Sequence, residues 1–328
     1  MLALALLFLL YRDLDLARFL DAIGYAHRGW ILLLIASLLL EFLVQGWKWR
    51  QLLYELKPVA SLRLAGAIIA GYGANVLVPL GVGPFVRAWL VARQENLRMA
   101  SVLITTAIGR FIDGIVFALI AIAVAAFGQV TALGRDLQIA LGMAGMLNLV
   151  IFALVLWLMF RARSPLARDD NLLSRLVDWV ASLNPQRFGQ LRSALAGGLL
   201  WPAQRSRQLA VVAGSIAAKG VAATHFAWAG LAVGVVLAPF EYLLVMVVAG
   251  FALILTRLVR VPGGFVVGAG FALKLLGVPD EQALAMILFS QLLATVLVVV
   301  IGLPILWQSG IDIRAASRRM DRNTDPPE

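Results

Sequence analysis

Apolar residues in this chain come in long uninterrupted runs separated by short polar segments. Six runs approach or exceed the roughly 20 residues with which a helix crosses a bilayer: residues 30 to 47, 99 to 127, 137 to 160, 209 to 235, 238 to 259 and 283 to 308. A transmembrane β-barrel would instead alternate apolar and polar positions. Because a helix satisfies its own backbone groups in lipid, the pattern predicts an all-α polytopic membrane protein.

Two apolar regions are interrupted by proline and glycine. The first reads VPLGVGPFVR from Val78 to Arg87, and the second begins with VPGG at Val261. Interruptions of this kind predict short broken or re-entrant helices, because backbone groups freed in lipid must find partners inside the protein. The predicted break positions are Pro79, Gly81, Gly83, Pro84, Pro262, Gly263 and Gly264.

Basic residues predict the topology, because loops rich in Lys and Arg lie on the cytoplasmic side. The segment 161 to 207 holds eight arginines and is expected to be a cytoplasmic linker. Apolar residues at helical spacing between 172 and 183 favour an interfacial helix there over a solvated linker. We expect a first membrane half at 1 to 160, a second at 208 to 310, and a cytoplasmic tail at 311 to 328.

The loop charges also predict how the two broken segments run. Lys48, Arg50, Lys57 and Arg63 mark one internal loop and Arg93 and Arg98 the next, so residues 64 to 92 must go out and return. In the second half, the segment 262 to 278 must supply a crossing or part of a re-entrant pair. The two segments then point in opposite directions, which predicts two inverted-topology repeats with the transport site at the breaks.

Composition narrows the function. The chain has 328 residues, is 62% hydrophobic, and has a mean hydropathy of +0.90. It contains no cysteine and two histidines, so thiolate chemistry is excluded and neither a metal centre nor another cofactor is expected. The net charge of +10 is explained by cytoplasmic loops and does not indicate nucleic-acid binding.

Several short motifs resemble one family, the transmembrane region of lysylphosphatidylglycerol synthase, found fused in multiple peptide resistance factors and also alone. The motifs are GWKWR from Gly46, GAN from Gly73, GPFVR from Gly83, GRFID from Gly109 and VPGG from Val261. The resemblance implies a membrane domain of two related halves that moves lipids between leaflets, in the fused members an aminoacylated phosphatidylglycerol. We expect a stand-alone member, without a soluble aminoacyl transferase domain.

The chain departs from the family pattern at two places. Relatives commonly carry an acidic residue where this sequence has Pro84 and Phe85, and another where it has Gly268-Ala269-Gly270. The polar pathway implied by the resemblance is therefore depleted here. A less charged lipid, including a polycyclic or isoprenoid one, stays open as the substrate.

Charged side chains at membrane depth are the candidate substrate-binding residues, because each costs at least a few kcal/mol there and usually faces a cavity or a partner. Arg87 could hold a lipid phosphate bidentately or snorkel to the interface. Arg110 and Asp113 are three residues apart on one helix, so they could form an ion pair or line the pathway.

Other candidates have alternatives that the sequence leaves open. Glu41 could exchange a proton or pair with Lys219 or Arg87. Lys219 could receive a headgroup or pair with Glu41 or Asp113. Buried His225 fits a satisfied polar residue better than a proton relay. The remaining candidates are Asn75, which could cap the broken helix, and Lys274 in the second broken segment.

Three functions remain open: a lipid translocator, a membrane enzyme acting on lipids, and a scaffold subunit of an envelope-lipid biosynthesis pathway. The sequence has no zinc motif, nucleophile elbow or aspartate cluster, so we expect a translocator and not an enzyme. It would move a phospholipid or isoprenoid-type lipid across the inner (plasma) membrane, with its C-terminus cytoplasmic. Beyond the membrane lipid, which could be anionic, the partners considered are an envelope-lipid synthase and a second copy of the chain.

Overall fold

The computed structural model describes residues 15–78, 81–127, 134–163, 201–258 and 263–309. Within these ranges all regular structure is helical and no strand occurs. The helices, numbered in chain order, are α1 (Leu16–Gly24), α2 (Arg28–Leu53), α3 (Ser61–Leu77), α4 (Gly83–Glu95), α5 (Met99–Phe127), α6 (Arg135–Arg163), α7 (Arg205–Ala232), α8 (Pro239–Leu258), α9 (Gly264–Leu275), α10 (Asp280–Leu297) and α11 (Leu303–Gln308). A π-helical segment, Val298–Gly302, joins α10 to α11.

Six helices in the described part of the chain are long and apolar enough to cross a membrane. They are α2, α5, α6, α7, α8 and the continuous helix Asp280–Gln308. They correspond to the six predicted apolar runs, so the predicted all-α polytopic membrane fold is confirmed. Pro79, Pro262, most of the predicted linker 161 to 207 with its interfacial helix, and the tail 311 to 328 lie outside the described residues.

One expectation about a helix end is wrong. The apolar run predicted that the first long helix stops at Trp47 and that Lys48 belongs to an internal loop, but α2 continues to Leu53. Lys48 and Trp49 are both buried in this extension. The helix continues because these polar and aromatic side chains have partners inside the protein, which a count of apolar residues does not detect.

Three of the described helices that lie between the spans are shorter than the bilayer core. With 17, 13 and 12 residues, α3, α4 and α9 measure about 25, 20 and 18 Å, against roughly 30 Å of hydrocarbon. The pair α3–α4 stands between α2 and α5, and the pair α8–α9 stands between α7 and α10. Short helices therefore follow or flank the spans at both places where proline and glycine interrupt the apolar runs, while the two inverted-topology repeats stay a prediction.

Glycines hold α3 against α4. A Cβ atom at Gly71 would lie 2.7 Å from the carbonyl oxygen of Gly83, and one at Gly83 would lie 2.5 Å from the carbonyl oxygen of Gly71. No larger residue fits this contact without separating the helices. Asn75 Oδ1 also accepts a hydrogen bond of 2.7 Å from the Gly83 N–H, so Asn75 satisfies a donor at the start of α4.

The pair α8–α9 is built in a similar way. A Cβ at Gly268 would lie 2.9 Å from the carbonyl oxygen of Val248, and one at Gly264 would overlap the side chain of Thr256. Gly263 precedes α9 with a φ of 87°, a conformation that favours glycine. The glycines of both broken segments thus permit close approach of two helices.

Two apolar clusters make up the core of the described part of the chain. One is centred on α8, α9 and α10 and the other on α3, α4 and the first half of α5. Along α2 the boundary falls between Leu38 and Phe42, and along α5 it falls between Ile112 and Phe117. The polar positions Glu41 and Asp113 therefore lie between the clusters.

The π-helical segment brings the last helix close to α3. A Cβ at Gly302 would lie 2.7 Å from the carbonyl oxygen of Ile69, so the two backbones touch. Pro304 stands two residues after this segment; it has no N–H to donate, and a proline ring crowds the carbonyl four residues earlier. The local change from i→i−4 to i→i−5 bonding therefore occurs in the turn that the proline affects.

The glycine contact between α3 and α4 predicts a large difference between two alanine substitutions. Gly71→Ala should destabilise the protein by about 1–3 kcal/mol, because its Cβ meets backbone. Gly220→Ala in α7 is the control, since a Cβ there meets nothing within 4 Å. Thermal unfolding in detergent, followed by tryptophan fluorescence, compares the two; equal melting temperatures would contradict the tight contact.

Glu95 fixes the end of α4 to the loop between α2 and α3 and to the first turn of α3. Its carboxylate pairs with Lys57 Nζ at 2.8 Å and with Arg63, and its side chain is 6% exposed. The hydrogen bond from Lys57, joined by that from Arg63, lowers the pKa of Glu95 despite the cost of desolvation. A carboxyl group with a lowered pKa stabilises the fold while it is ionised, and this contribution is lost as the pH falls through that pKa.

We expect acid to weaken the protein partly through Glu95. Glu95→Gln should lower the melting temperature at pH 7 and flatten its decline below the ordinary pKa of 4.5. Asp21→Asn on α1, where Asp21 is exposed, is the matched control and should leave the profile unchanged. A decline in Glu95→Gln as steep as in the unaltered protein would disprove the role of this carboxylate.

Candidate functional site

A polar cavity of about 130 Å³ lies where α2, α3, α4, α5 and α7 meet. Glu41, Asp113 and Lys219 occupy the middle of α2, α5 and α7, where a spanning helix is farthest from water and a charge costs most. The complete lining is Glu41, Gln45, Lys48, Trp49, Leu52, Ile68, Tyr72, Arg87, Thr105, Thr106, Gly109, Arg110, Asp113 and Lys219.

The cavity carries more positive than negative charge. Two carboxylates, of Glu41 and Asp113, face four cations, so the formal excess is two positive charges. The cations are Lys48, Arg87, Arg110 and Lys219. Arg87 and Lys219 repel Lys48, and Arg110 repels Arg87. A cluster of this kind is stabilised by an anion, which lowers the cost of holding like charges away from water.

Lys48 and Asp113 neutralise one another. Lys48 Nζ lies 2.5 Å from Asp113 Oδ1, and the two side chains are 6% and 28% exposed. Of the two alternatives for Arg110 and Asp113, the ion pair between them is not formed, because Lys48 from α2 pairs with Asp113. Sequence reasoning missed Lys48 as a site residue, although Glu41, Gln45 and Lys48 recur at the four- and three-residue spacing of one helix face.

Arg87 is held by an aromatic ring. Its Cζ lies 5.6 Å from the ring centroid of Trp49, and Trp49 Nε1 donates a 3.0 Å hydrogen bond to Thr105 Oγ1. The guanidinium Nε is buried and has no acceptor among the described residues, as is also true of Thr106 Oγ1. Arg87 thus faces the interior of the protein with an unused donor, since the α3–α4 glycine contact places its Cβ beside Gly71.

The other two cations are less enclosed. Within the described ranges neither Arg110 nor Lys219 forms an ion pair, so Lys219 does not make the pair with Glu41 or Asp113 that was one of its two alternatives. Lys219 Nζ lies 5.7 Å from the ring centroid of Phe117. Arg110 is exposed, as is Tyr72 on α3, so these two side chains mark the opening of the cavity.

The Glu41 carboxylate contacts one uncharged side chain, Gln45, and one titratable side chain, His225. Its Oε1 accepts a 2.7 Å hydrogen bond from Gln45 Nε2, and its Oε2 lies 3.7 Å from His225 Nδ1. Among the described residues the ionisable partner of Glu41 is therefore His225, and neither Lys219 nor Arg87. Both side chains are largely enclosed.

Two predicted binding residues lie elsewhere. Asn75 caps α4 and does not line the cavity, so its role is to position the segment that carries Arg87. Lys274 is exposed at the end of α9 and its Nζ lies 3.1 Å from Asp280 Oδ2. The structure thus brings together Glu41, Arg87, Arg110, Asp113 and Lys219, but neither Asn75 nor Lys274.

The spans, the two broken helix pairs and the central cavity define a multi-pass α-helical membrane protein with a buried cation-rich site. Residues 1–302 match the family model described as lysylphosphatidylglycerol synthase TM region, so the chain belongs to this family. The resemblance inferred from the short motifs is thereby confirmed. No curated protein and no solved structure matches the chain.

Removing one member of the Lys48–Asp113 pair should strongly destabilise the protein. Asp113→Asn leaves Lys48 charged and enclosed, which costs about 3–5 kcal/mol for a buried pair, whereas adding Lys48→Met should recover most of the loss. Asp280→Asn breaks the exposed pair with Lys274 and should cost at most about 1 kcal/mol. Chemical denaturation of the four proteins tests this; a double variant no better than Asp113→Asn would refute the coupling.

Proposed function

We propose that this protein is a lipid translocator that moves a lipid with a phosphate-bearing headgroup between the leaflets of the inner membrane. The observation that carries the proposal is the cation-rich cavity at mid-depth, in which Arg87 Nε has no acceptor among the residues that the structure describes. A phosphate would satisfy that donor and offset the excess positive charge. It does not act as an enzyme in this proposal, and the C-terminus is cytoplasmic.

The size of the cavity favours a headgroup as its occupant. At about 130 Å³ it is smaller than the roughly 300 Å³ of the smallest pockets that enclose a drug-sized ligand. A phosphate group fits this space, whereas acyl or isoprenoid chains must remain outside in the bilayer. Exposed Tyr72 and Arg110 at the opening leave a route for a lipid whose headgroup enters from the side.

The arrangement of charges favours transfer over permanent binding. Arg87 contributes a planar fork of donors and Lys219 and Arg110 contribute further positive charge, while Glu41 supplies a competing carboxylate in the same cavity. A phosphate that competes with an internal carboxylate can enter and leave. Because the sequence carries no P-loop, the driving force comes from a gradient or from the lipid distribution itself.

The proposal is tested with the full chain reconstituted in vesicles. Fluorescent phosphatidylglycerol, a fluorescent polyprenyl phosphate and fluorescent phosphatidylcholine are supplied separately, and translocation is measured by dithionite quenching. We expect the protein to accelerate translocation of at least one of the two anionic lipids. The lipid that responds shows whether the recognised phosphate belongs to a glycerophospholipid or to a polyprenyl phosphate. A protein that moves none of the lipids would refute the proposal.

Arg87→Gln should slow anionic lipid transfer about 10-fold to 100-fold, because charged hydrogen bonds contribute about 1.5–3 kcal/mol. The matched control is Arg93→Gln on the same helix, whose guanidinium lies 5.1 Å from the Trp89 ring centroid and outside the cavity. Arg87→Lys keeps the positive charge but loses the planar pair of guanidinium donors, so it should recover only part of the transfer rate. Equal rates for Arg87→Gln and Arg93→Gln would contradict the assigned role of Arg87.

A further inference from the structure

We propose that Glu41 and His225 form a proton-binding site linked to the anion site, so that a proton is taken up when a phosphate-bearing headgroup enters the cavity. This inference rests on the proposed function and adds the coupling ion to it. The two residues come from different helices, α2 and α7, and meet beside the cavity that Glu41 lines.

The geometry of the pair leaves its protonation adjustable. Glu41 Oε2 and His225 Nδ1 are 3.7 Å apart, longer than a hydrogen bond, whereas Lys48 and Asp113 are in direct contact at 2.5 Å. His225 Nε2 is buried and has no partner among the described residues. The histidine also lies against the backbone of Ser37, one turn before Glu41 on α2.

The neighbours of the pair do not fix its charge. Asp113, the other carboxylate of the cavity, is already neutralised by Lys48. Glu41 accepts a hydrogen bond from Gln45, an uncharged amide. The remaining titratable groups that face the cavity are Tyr72 of α3, Arg87 of α4, Arg110 of α5 and Lys219 of α7. Within the described residues, Glu41 is therefore the cavity carboxylate without an ion pair to lysine or arginine.

A bound phosphate would change the proton affinity of this pair. In a cavity of about 130 Å³ a bound phosphate lies close to every lining residue, including Glu41. At a distance of about 8 Å and an effective dielectric constant of about 20, one unit charge changes the proton-binding constant of another group about 30-fold. The phosphate repels the Glu41 carboxylate, so proton uptake is favoured. By linkage the proton strengthens anion binding by the same factor.

The consequence for transport is that the lipid and a proton travel together. A proton bound by the pair offsets the charge of the headgroup during passage and is released when the headgroup leaves. A pH difference across the membrane can then drive lipid movement. Lipid should move preferentially from the acidic side to the alkaline side.

Proton uptake can be measured without transport. The purified chain in detergent is titrated with glycerophosphoglycerol, a soluble phosphodiester whose own charge is constant between pH 5.5 and 8. Calorimetry in buffers of different ionisation enthalpy gives the protons taken up per bound anion. We expect net uptake and an affinity that rises up to about 30-fold as the pH falls.

Variants identify the residues responsible. Glu41→Gln and His225→Gln should each abolish or strongly reduce proton uptake. Because Glu41→Gln also removes the carboxylate that competes with the phosphodiester, the affinity of this variant should rise and no longer depend on pH. His27→Gln is the matched control, because His27 is the other histidine of the chain and is exposed at the start of α2. Using both Glu41→Gln and His225→Gln keeps the test decisive if one variant folds poorly. Undiminished uptake in either folded variant would overturn the proposed pair.

A transport experiment distinguishes failure of this inference from failure of the proposed function. Vesicles with an imposed pH difference should translocate the anionic lipid faster from the acidic side, and Glu41→Gln should remove this dependence. Transport and anion binding without proton uptake would overturn the coupling and leave the translocator intact. Proton uptake on anion binding without lipid movement would support the linked site and overturn the translocator.

Discussion

The structure depends on one constraint: charges at the middle of membrane-spanning helices must be compensated within the protein. Glu41, Asp113 and Lys219 each stand at the centre of a long apolar helix, where water is farthest away. Three such helices can only be stable together if they meet, so the position of the charges determines which helices pack around the cavity. The two apolar clusters lie on either side of this polar level.

The short α3–α4 pair adds a further cation, Arg87, to this polar level from the side. Because glycine faces glycine at Gly71 and Gly83, α4 approaches α3 closely enough for Arg87 to reach the cavity. Asn75 fixes the start of α4 through the Gly83 N–H. The glycines that interrupt the apolar sequence therefore allow the Arg87 guanidinium to lie at a depth where a continuous spanning helix would carry an apolar side chain.

The long apolar runs were sufficient to predict the long helices and the charges inside them, Glu41, Arg110, Asp113 and Lys219, because a charge inside an apolar run is conspicuous. Arg87 was predicted from the interrupted segment and the family motif instead. The apolar pattern failed at Lys48, which follows the apolar run and was assigned to a loop; the helix continues because Lys48 pairs with Asp113. Which partners would meet also escaped prediction: Glu41 faces His225 from α7, a contact between residues 184 positions apart that no local pattern encodes. Lys274 resembled Arg87 in sequence position, yet it is exposed at a helix end.

The π-helical segment before Pro304 also sets the phase of the final turn. One extra residue in a helical turn rotates everything after it by about 100° relative to an uninterrupted α-helix. In this phase Leu306 is buried in the second cluster and Trp307 is 88% exposed. The buried positions of the last turn are therefore shifted by one residue from those that the periodicity of α10 predicts. A prediction that treated the whole segment as one α-helix would place the residues of the last turn on the wrong face.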